Sequence, residues 1–349
     1  MKIKFLFALL FHAITINSYA SDPKKTDPTS TEVGWDHLIE TNPSPLAKQF
    51  VKSSHTVYQR LLYGGIPYPS NKINNRWESG YNTSSDKFTY MRKYGVDCTR
   101  LLRYLFVNML DLPYNSKEKN EPIISSTFTL HNNQNQLKNF IQIPKTKHGF
   151  KPQTGDILAF PGHTIAVLDP KNCIAIQSSI WLCKEMKNGF CVESDYGKSA
   201  GVSIYHLASE RFCKNGVWKG MDSDKLNFTI GWRHKAFDTW ITSMPSEAEA
   251  KSQILLKGKN LAGKYIYFPG SKTPVKATLW KKGKVNHNTN NSNQIVSLKV
   301  PQDAKSGKLK IYWGTGNPSL EKTVESLDKI KILSSHKTIV SIYKDSYLD

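Results

Sequence analysis

The feature that most constrains the fold is a cysteine at the start of a helical pattern, followed later by a histidine at the start of a strand pattern. Cys98 opens an amphipathic run whose apolar residues recur with helical spacing as far as Leu110. His163 follows the turn Pro161-Gly162 and opens an alternating apolar run. A helix followed by several short strands predicts an α+β domain. A thiol and an imidazole are the two groups of a nucleophile and its base, so we expect Cys98 and His163 to be catalytic.

The first twenty residues have the pattern of an export signal. Lys2 and Lys4 precede an apolar run from Phe5 to Thr15, which is too short to span a membrane, and Ser18-Tyr19-Ala20 is a small-x-small cleavage site. We therefore expect cleavage after Ala20 and a periplasmic or secreted protein. An N-terminal segment that stays as an anchor is the alternative. No later stretch is long enough to span a membrane.

The chain is strongly basic, with 48 Lys and Arg against 28 Asp and Glu, and a net charge of +20. Such an excess favours anionic partners. Nucleic acid is not expected, because no helix-turn-helix, zinc-finger or RNA-binding signature is present. An anionic cell wall or outer envelope fits an exported protein better. The alternative is that many of the scattered lysines only keep the protein soluble.

Five cysteines are an odd number for an exported chain. Four of them cluster, and the simplest arrangement is two disulfides within that cluster, which leaves Cys98 as a thiol. The sequence leaves three pairings open; one of them joins Cys183 to Cys191 in a short loop and Cys173 to Cys213. Zinc is the rival interpretation, but the tight Cys-x-x-Cys pair of zinc sites is missing. We expect no metal and no cofactor.

Composition divides the chain into segments. Residues 1–20 are predicted to be the signal peptide, and residues 21–44 are predicted to be a flexible segment before the first domain. Residues 45–243 are expected to form the domain that contains Cys98 and His163, with a helix over Pro45–Tyr63, a long loop over 64–88, a helix over 98–110, and short strands between 155 and 235. Pro245–Ala250 is predicted to be a linker. Residues 244–335 repeat short strand patterns typical of a small β-sandwich, and 336–349 form a tail.

Asp97-Cys98-Thr99, Gly155-Asp156-Ile157-Leu158 and His163-Thr164-Ile165-Ala166-Val167 together resemble the NlpC-type cell-wall cysteine peptidases of the papain-like superfamily. The resemblance covers about residues 90–180. It implies a papain-like α+β domain that hydrolyses amide bonds in peptidoglycan stem peptides, most typically the γ-D-glutamyl–diamino-acid bond. The family has a third polar residue one strand after the histidine, and Gln177 occupies that position. The resemblance implies that Gln177 holds the imidazole toward the sulfur. A neutral side chain is adequate for this role when the catalytic pair is a thiolate and an imidazolium.

The sequence departs from the family beside the nucleophile. Thr99-Arg100 replaces the small Ser-Gly, so Arg100 is a candidate to hold a substrate carboxylate; the alternative is an exposed helix face. The family's aromatic-Gly-Gly segment is not clearly present. Tyr81, Tyr90 or Tyr94 could supply its tyrosine, and we take Tyr94 as the candidate substrate-binding residue.

Other interpretations stay open. His206 and His234 are alternatives to His163, while Asp97 is expected to cap the helix and Asp156 to make the turn before a strand. The C-terminal part, from Ile254-Leu255-Leu256 onward, resembles the immunoglobulin-like IPT/TIG domains, which are usually binding or spacing modules. The expected function is that of an exported peptidoglycan hydrolase. A non-catalytic envelope-binding protein on the same fold, or an amidase toxin with another target, are the alternatives.

Overall fold

The structure is a computed structural model, and it describes most of the chain between residues 33 and 333. The described ranges are 33–42, 44–62, 74–114, 129, 137–179, 183–187, 190–194, 201–207, 211–221, 226–280, 293–313, 317–318 and 320–333. The predicted signal peptide and the predicted tail lie outside these residues.

Five α-helices precede the main sheet among the described residues. They are α1 Trp35–Thr41, α2 Pro45–Leu62, α3 Asn74–Thr83, α4 Lys87–Tyr94 and α5 Cys98–Arg103. The helix predicted from Pro45 is confirmed. Residues 35–41, expected within the flexible segment before the first domain, form α1 instead. Its buried Trp35 stacks on His55 of α2 with ring centroids 4.6 Å apart, so packing on a neighbour orders this short segment.

The loop predicted over residues 64–88 is wrong where it overlaps α3 and the start of α4. Helix α3 is rich in polar residues and lacks the apolar periodicity that identifies a helix from sequence. Side chains at the junction stabilise both helices. The Asp86 carboxylate caps α4 by accepting from the N–H groups of Phe88 and Thr89. Lys87 Nζ donates to three carbonyls at the end of α3, those of Tyr81, Asn82 and Ser84.

The helical run that begins at Cys98 changes type at Tyr104. Residues Tyr104–Met109 form a π-helical turn, in which the Leu110 N–H donates to the Leu105 carbonyl five residues earlier at 3.1 Å. The wider turn accommodates adjacent buried pairs such as Leu105-Phe106, which both point into the core. The predicted helix over 98–110 is therefore α-helical in its first half only.

The part of the chain before residue 240 is organised by a six-stranded antiparallel sheet with the order β1-β10-β2-β3-β4-β7. Five of its strands lie in the predicted range 155–235, whereas β1 precedes that range and is not predicted from the sequence. The six strands are β1 Phe140–Gln142, β2 Ile157–Phe160, β3 His163–Asp169, β4 Ile174–Ser178, β7 Val202–His206 and β10 Ile230–His234. Two short hairpins lie outside this sheet: β5 Cys183–Lys187 with β6 Phe190–Ser194, and β8 Cys213–Lys214 with β9 Val217–Trp218.

Both faces of this sheet are covered, which explains strands that are apolar at almost every position. Alternate residues such as Ala166 and Ile176 join the core that contains the helices. Their neighbours in sequence, such as Ile165 and Ala175, join a second core with Trp218 and Phe228. The disulfide Cys173–Cys213, one of the pairs left open by the sequence, lies in this second layer.

The C-terminal part has two four-stranded sheets, with the orders β11-β13-β17-β16 and β15-β14-β18-β19. Apolar residues of both sheets, such as Leu256 and Ile311, belong to one core. The strands are β11 Trp240–Ser243, β13 Gln253–Lys259, β14 Tyr265–Tyr267, β15 Val275–Lys276, β16 Thr278–Leu279, β17 Asn293–Lys299, β18 Lys310–Tyr312 and β19 Thr323–Glu325. The strand β11 precedes the predicted boundary at residue 244, yet it pairs with β13.

The predicted linker is a paired strand rather than a connection. Within it, β12 Glu247–Glu249 pairs in parallel with β20 Lys331–Leu333. The two parts of the protein are also joined by polar contacts: Asp238 binds Arg233 on one side, and Lys259 and Asn260 on the other. Among the described residues, no helix is both long enough and apolar enough to cross a membrane.

Candidate active site

Cys98 is the first residue of α5, and the residues around it are arranged by the helix cap. Asp97 is the N-cap, and its Oδ1 accepts from the Arg100 N–H at 2.8 Å and from the Thr99 hydroxyl at 3.0 Å. The prediction that Asp97 caps the helix is confirmed. Cys98 carries a reduced thiol and is only 3% exposed. The position at a helix N-terminus favours a negative charge on the sulfur.

His163 and Gln177 meet across two neighbouring strands. His163 is the first residue of β3, Gln177 is the fourth residue of β4, and His163 Nε2 lies 2.7 Å from Gln177 Oε1. The Gln177 amide nitrogen lies 3.5 Å from the Ser203 hydroxyl, which directs its oxygen toward the ring. An amide oxygen only accepts, so Nε2 carries the hydrogen and Nδ1 is the ring nitrogen that can take a proton.

Burial controls the charge of His163. The side chain is almost completely buried, and loss of solvation lowers its pKa to about 4, while the hydrogen bond to Gln177 and the charge of Asp97 oppose this shift. The imidazole is therefore neutral at neutral pH. This differs from the imidazolium expected from the sequence, because no pattern of residues indicates how far a strand-end histidine is desolvated. A neutral imidazole is the form that accepts a proton from a thiol.

A serine connects the strand of Gln177 to the segment of Cys98. The Ser178 hydroxyl donates to the Val96 carbonyl at 2.6 Å, and both residues are fully buried. Helix α5 packs against β3 and β4, and the carboxylate of Asp97 is close enough to raise the pKa of His163. The cysteine, the histidine and the glutamine predicted from the sequence thus lie on three elements that pack together.

Arg100 is buried rather than displayed on an exposed helix face. Its side chain is 8% exposed, and its guanidinium forms an ion pair with Asp97 Oδ2, one turn back on the same helix. The cation therefore lies beside the segment that carries Cys98, where it neutralises the carboxylate of the cap. A substrate carboxylate that reached this position would meet an arginine already held in place.

The three tyrosines that could line the site form a chain of rings. Tyr81 contacts Tyr90 with centroids 6.3 Å apart, and Tyr90 contacts Tyr94 at 4.6 Å. Tyr81 is buried and lies 2.6 Å from the Asn108 side-chain oxygen, whereas Tyr94 is 36% exposed at the end of α4. Of the three tyrosines, Tyr94 thus has the most exposed side chain and is the one most accessible to a ligand.

The two alternative histidines lie in different surroundings. His234 is buried, accepts at Nδ1 from the Ala236 N–H at 3.2 Å, and donates from Nε2 to the Pro113 carbonyl at 3.1 Å. Both of its ring nitrogens are thus used by the backbone. His206 is exposed at the end of β7, where it pairs with Ile174 at the opposite end of β4 from Gln177.

Sequence reasoning missed two buried polar residues, Arg233 in the main sheet and Ser178 beside the site. Arg233 binds Asp156 through two hydrogen bonds of 2.8 and 2.7 Å, and Asp156 also accepts from the Gln153 N–H, which confirms its predicted turn. Arg233 directly follows the apolar run at 228–232, and a charge at the end of a buried strand could have indicated a buried partner. Ser178 gave no signal of its own, because serine is common at strand ends.

Cys173 and Cys213 are disulfide-bonded, whereas the side chains of Cys183 and Cys191 lie outside the described ones. Within the described part of the chain, no group of three or more His, Cys, Asp or Glu side chains could hold a metal ion.

Comparison with protein-family models gave no match for this chain, and comparison with curated proteins found none that is similar. The site is therefore interpreted from its own chemistry.

Proposed function

We propose that the protein is an exported cysteine hydrolase that cleaves amide bonds in peptidoglycan stem peptides, with Cys98 as nucleophile and His163 as base. The observation that carries the proposal is the hydrogen bond of 2.7 Å between His163 Nε2 and Gln177 Oε1. It assigns the ring hydrogen to Nε2 and leaves Nδ1 to exchange a proton with a thiol. Cysteine hydrolases need this tautomer, and a purely structural histidine does not.

In the proposed reaction, His163 Nδ1 takes the Cys98 proton as the sulfur attacks the carbonyl carbon of the scissile amide. The carbonyl oxygen becomes an oxyanion, which the Cys98 N–H at the start of α5 is placed to stabilise. The histidine then returns the proton to the leaving amine, and a thioester remains. Water, deprotonated by His163, cleaves the thioester to a carboxylic acid and regenerates the thiol.

The proposed architecture follows the same resemblance. A helix with a cysteine at its N-terminus, packed on an antiparallel sheet whose strands carry the histidine and its polar partner, is the arrangement of the NlpC-type, papain-like domain. The two C-terminal sheets with a common core support an immunoglobulin-like sandwich of the IPT/TIG kind. The γ-D-glutamyl–diamino-acid bond is the proposed target, because it is the bond that the resemblance to the NlpC-type peptidases implies.

The test is digestion of purified peptidoglycan, with the released fragments identified by mass spectrometry. Wild-type protein should release fragments with a new amine and a new carboxyl group, and Cys98→Ala and His163→Ala should release none. His206→Ala is the matched control, since it removes another histidine at the end of a strand in the same sheet and should keep full activity. Equal digestion by wild type and Cys98→Ala would disprove the proposal.

A non-catalytic binding protein is the second candidate, and the burial of Cys98 at 3% exposure favours it. The two functions differ in thiol reactivity. A nucleophilic Cys98 should react with iodoacetamide much faster than glutathione does at pH 6, and His163→Ala should slow that reaction. A slow reaction that is unaffected by His163→Ala would favour the binding protein.

A further inference from the structure

The C-terminal part contains a groove on the surface, away from the candidate active site. The groove has a volume of about 510 Å³, and its polar lining consists of Lys251, Gln253, Lys276, Thr278, Ser297 and Lys299. It lies where the chain passes from β15 of one sheet to β16 of the other. The volume falls within the ~300–1,000 Å³ typical of sites for small ligands. It can therefore hold a short segment of a larger molecule.

The groove is positively charged, and no acidic residue lines it to balance that charge. Lys251, Lys276 and Lys299 are exposed, none of the residues that line the groove is acidic, and none of these lysines takes part in an ion pair within the described part of the chain. Other exposed lysines of the same domain are paired: Lys308 and Lys310 lie 3.9 and 3.7 Å from Glu325. The charge of the groove is thus available to a ligand, which must be an anion.

The cations in this part of the protein are all of one type. From residue 245 to the end, the chain has 18 lysines and no arginine, against 8 Asp and Glu. Arginine binds a planar anion through donors in a fixed geometry. The lysine ammonium is a compact charge on a flexible side chain, so it can bind anions in different orientations. Lysines spaced along a groove therefore suit the repeated anionic groups of a polymer better than a single phosphate or carboxylate.

The groove contains hydrogen-bonding groups, and an exposed aromatic ring lies just beyond the strand of Thr278. Thr278 is opposite Ser297, and Gln253 is opposite Lys299 in the sheet. The Trp280 N–H continues the pairing by donating to the Ile295 carbonyl at 3.0 Å, so the side chains of Trp280 and Thr278 emerge on the same face. Trp280 is 43% exposed. An exposed indole beside amide and hydroxyl groups offers an apolar surface for the face of a sugar ring and hydrogen bonds for its hydroxyls.

We infer that this groove, lined by Lys251, Lys276 and Lys299, binds a strand of acidic glycan that extends onto Trp280 on the same face of the sheet. The lysines bind the carboxylates, Trp280 stacks on a sugar ring, and Gln253, Thr278 and Ser297 bind hydroxyl groups. A bilayer surface fits less well, because a concave groove with a polar lining offers little apolar area to insert. The inference goes beyond the proposed hydrolase site and does not depend on catalysis by Cys98.

The test uses the full chain and a hyaluronan decasaccharide as the acidic probe, with binding measured by calorimetry. A neutral N-acetylglucosamine hexasaccharide and vesicles containing phosphatidylglycerol are compared in parallel. We expect binding to hyaluronan, at least tenfold weaker binding to the neutral sugar, and a decrease in hyaluronan affinity at high salt. Binding to the vesicles but not to hyaluronan would overturn the inference in favour of a lipid surface.

Two sets of variants with equal charge change make the test specific. Lys251→Ala/Lys276→Ala/Lys299→Ala should weaken hyaluronan binding at least tenfold, and Trp280→Ala about fivefold. The control Lys308→Ala/Lys310→Ala/Lys331→Ala also removes three lysines, all of them paired with Glu325 or Glu247, and should change the affinity less than twofold. Equal losses in the two triple variants would show that only net charge matters and would overturn the inference. Iodoacetamide reactivity of Cys98 should be the same in all variants, which separates this result from the fate of the proposed hydrolase.

Discussion

Ser178 and Val96 are joined by a hydrogen bond of 2.6 Å from the serine hydroxyl to the valine carbonyl. Ser178 directly follows Gln177, and Val96 lies two residues before Cys98. One contact therefore connects the strand that orients the histidine to the segment that carries the thiol. Neither residue is expected to touch a substrate. If Cys98 is the nucleophile as proposed, we expect Ser178 to act as a positioning residue that affects the chemistry through Cys98.

Ser178→Ala should lower the free energy of unfolding by about 1–3 kcal/mol, because the buried Val96 carbonyl loses its donor. It should also lower kcat/KM roughly 10- to 100-fold, since a small displacement of a catalytic group is costly. The main loss should be in kcat, and the rate of Cys98 alkylation should fall with it. Ser178→Thr keeps the hydroxyl and should recover part of both.

The control for this prediction is Ser326→Ala. Ser326 is a buried serine of the C-terminal part whose hydroxyl donates to the Asp328 carbonyl at 2.7 Å. Its loss should destabilise the protein to a similar extent and leave Cys98 alkylation unchanged. If Ser178→Ala loses stability and keeps the wild-type alkylation rate, Ser178 is structural only.

The pH dependence of activity should reflect the buried His163. Because its pKa is lowered to about 4, the imidazole stays neutral at mildly acidic pH, and kcat/KM should fall only as the pH drops through about 4. Gln177→Glu places a carboxylate against Nε2, raises the pKa of His163, and should move the acidic limb to higher pH. The measurement is a pH profile of both proteins, and an unmoved limb would contradict the assigned contact.

Buried histidines should also make the protein sensitive to acid. Desolvation lowers the pKa of His163 to about 4 and that of His234 to about 3, whereas both titrate near 6.5 in the unfolded chain. Between these values the unfolded state binds more protons, so the free energy of unfolding decreases as the pH falls from about 6.5 toward 4. Each histidine should contribute about 2–3 kcal/mol to the loss at pH 4.5.

Urea denaturation at pH 7 and pH 4.5 measures this loss. His234→Gln should be less stable than wild type at pH 7, because the side chain contacts both the Ala236 N–H and the Pro113 carbonyl, but it should lose less stability on acidification. The exposed His206 provides the control, since His206→Gln should keep the wild-type dependence on pH. An identical pH slope in wild type and His234→Gln would contradict the prediction.

The disulfide Cys173–Cys213 should stabilise the sheet from the side opposite the helices. It closes a loop with a sequence separation of 40, for which the chain-entropy model gives a stabilisation of about 4 kcal/mol as an upper value. Cys173→Ala/Cys213→Ala should therefore lower the melting temperature by several degrees while Cys98 stays reactive toward iodoacetamide. Peptide mapping of the native protein checks the bond directly, and a mixed pairing that involves Cys98 would contradict it.

The sequence predicted the parts of this structure that depend on local pattern. The strands around Ile157–Phe160 and His163–Asp169 are apolar runs between turn residues, and the cap at Asp97 has a characteristic residue type. What could not be predicted depends on contacts between distant residues. Helix α3 is too polar to show periodicity, the charge state of His163 depends on its burial, and the Ser178–Val96 bond joins residues 82 positions apart.

The contacts of Asp238 predict that the part with the six-stranded sheet and the C-terminal part unfold together. Asp238 lies 3.4 Å from Arg233 Nη1, 3.0 Å from Lys259 Nζ and 2.7 Å from Asn260 Nδ2, and its side chain is 15% exposed. Asp238→Ala leaves two largely buried cations without this partner and should cost about 3–5 kcal/mol. Calorimetry should show a single unfolding transition in wild type, and the transition should move to lower temperature in the variant.

Glu325→Ala is the control. It removes a carboxylate that is 51% exposed and that pairs with two lysines at the surface, so it should lower the free energy of unfolding by less than about 1 kcal/mol. Two separate wild-type transitions, or equal shifts in the two variants, would show that Asp238 does not couple the two parts.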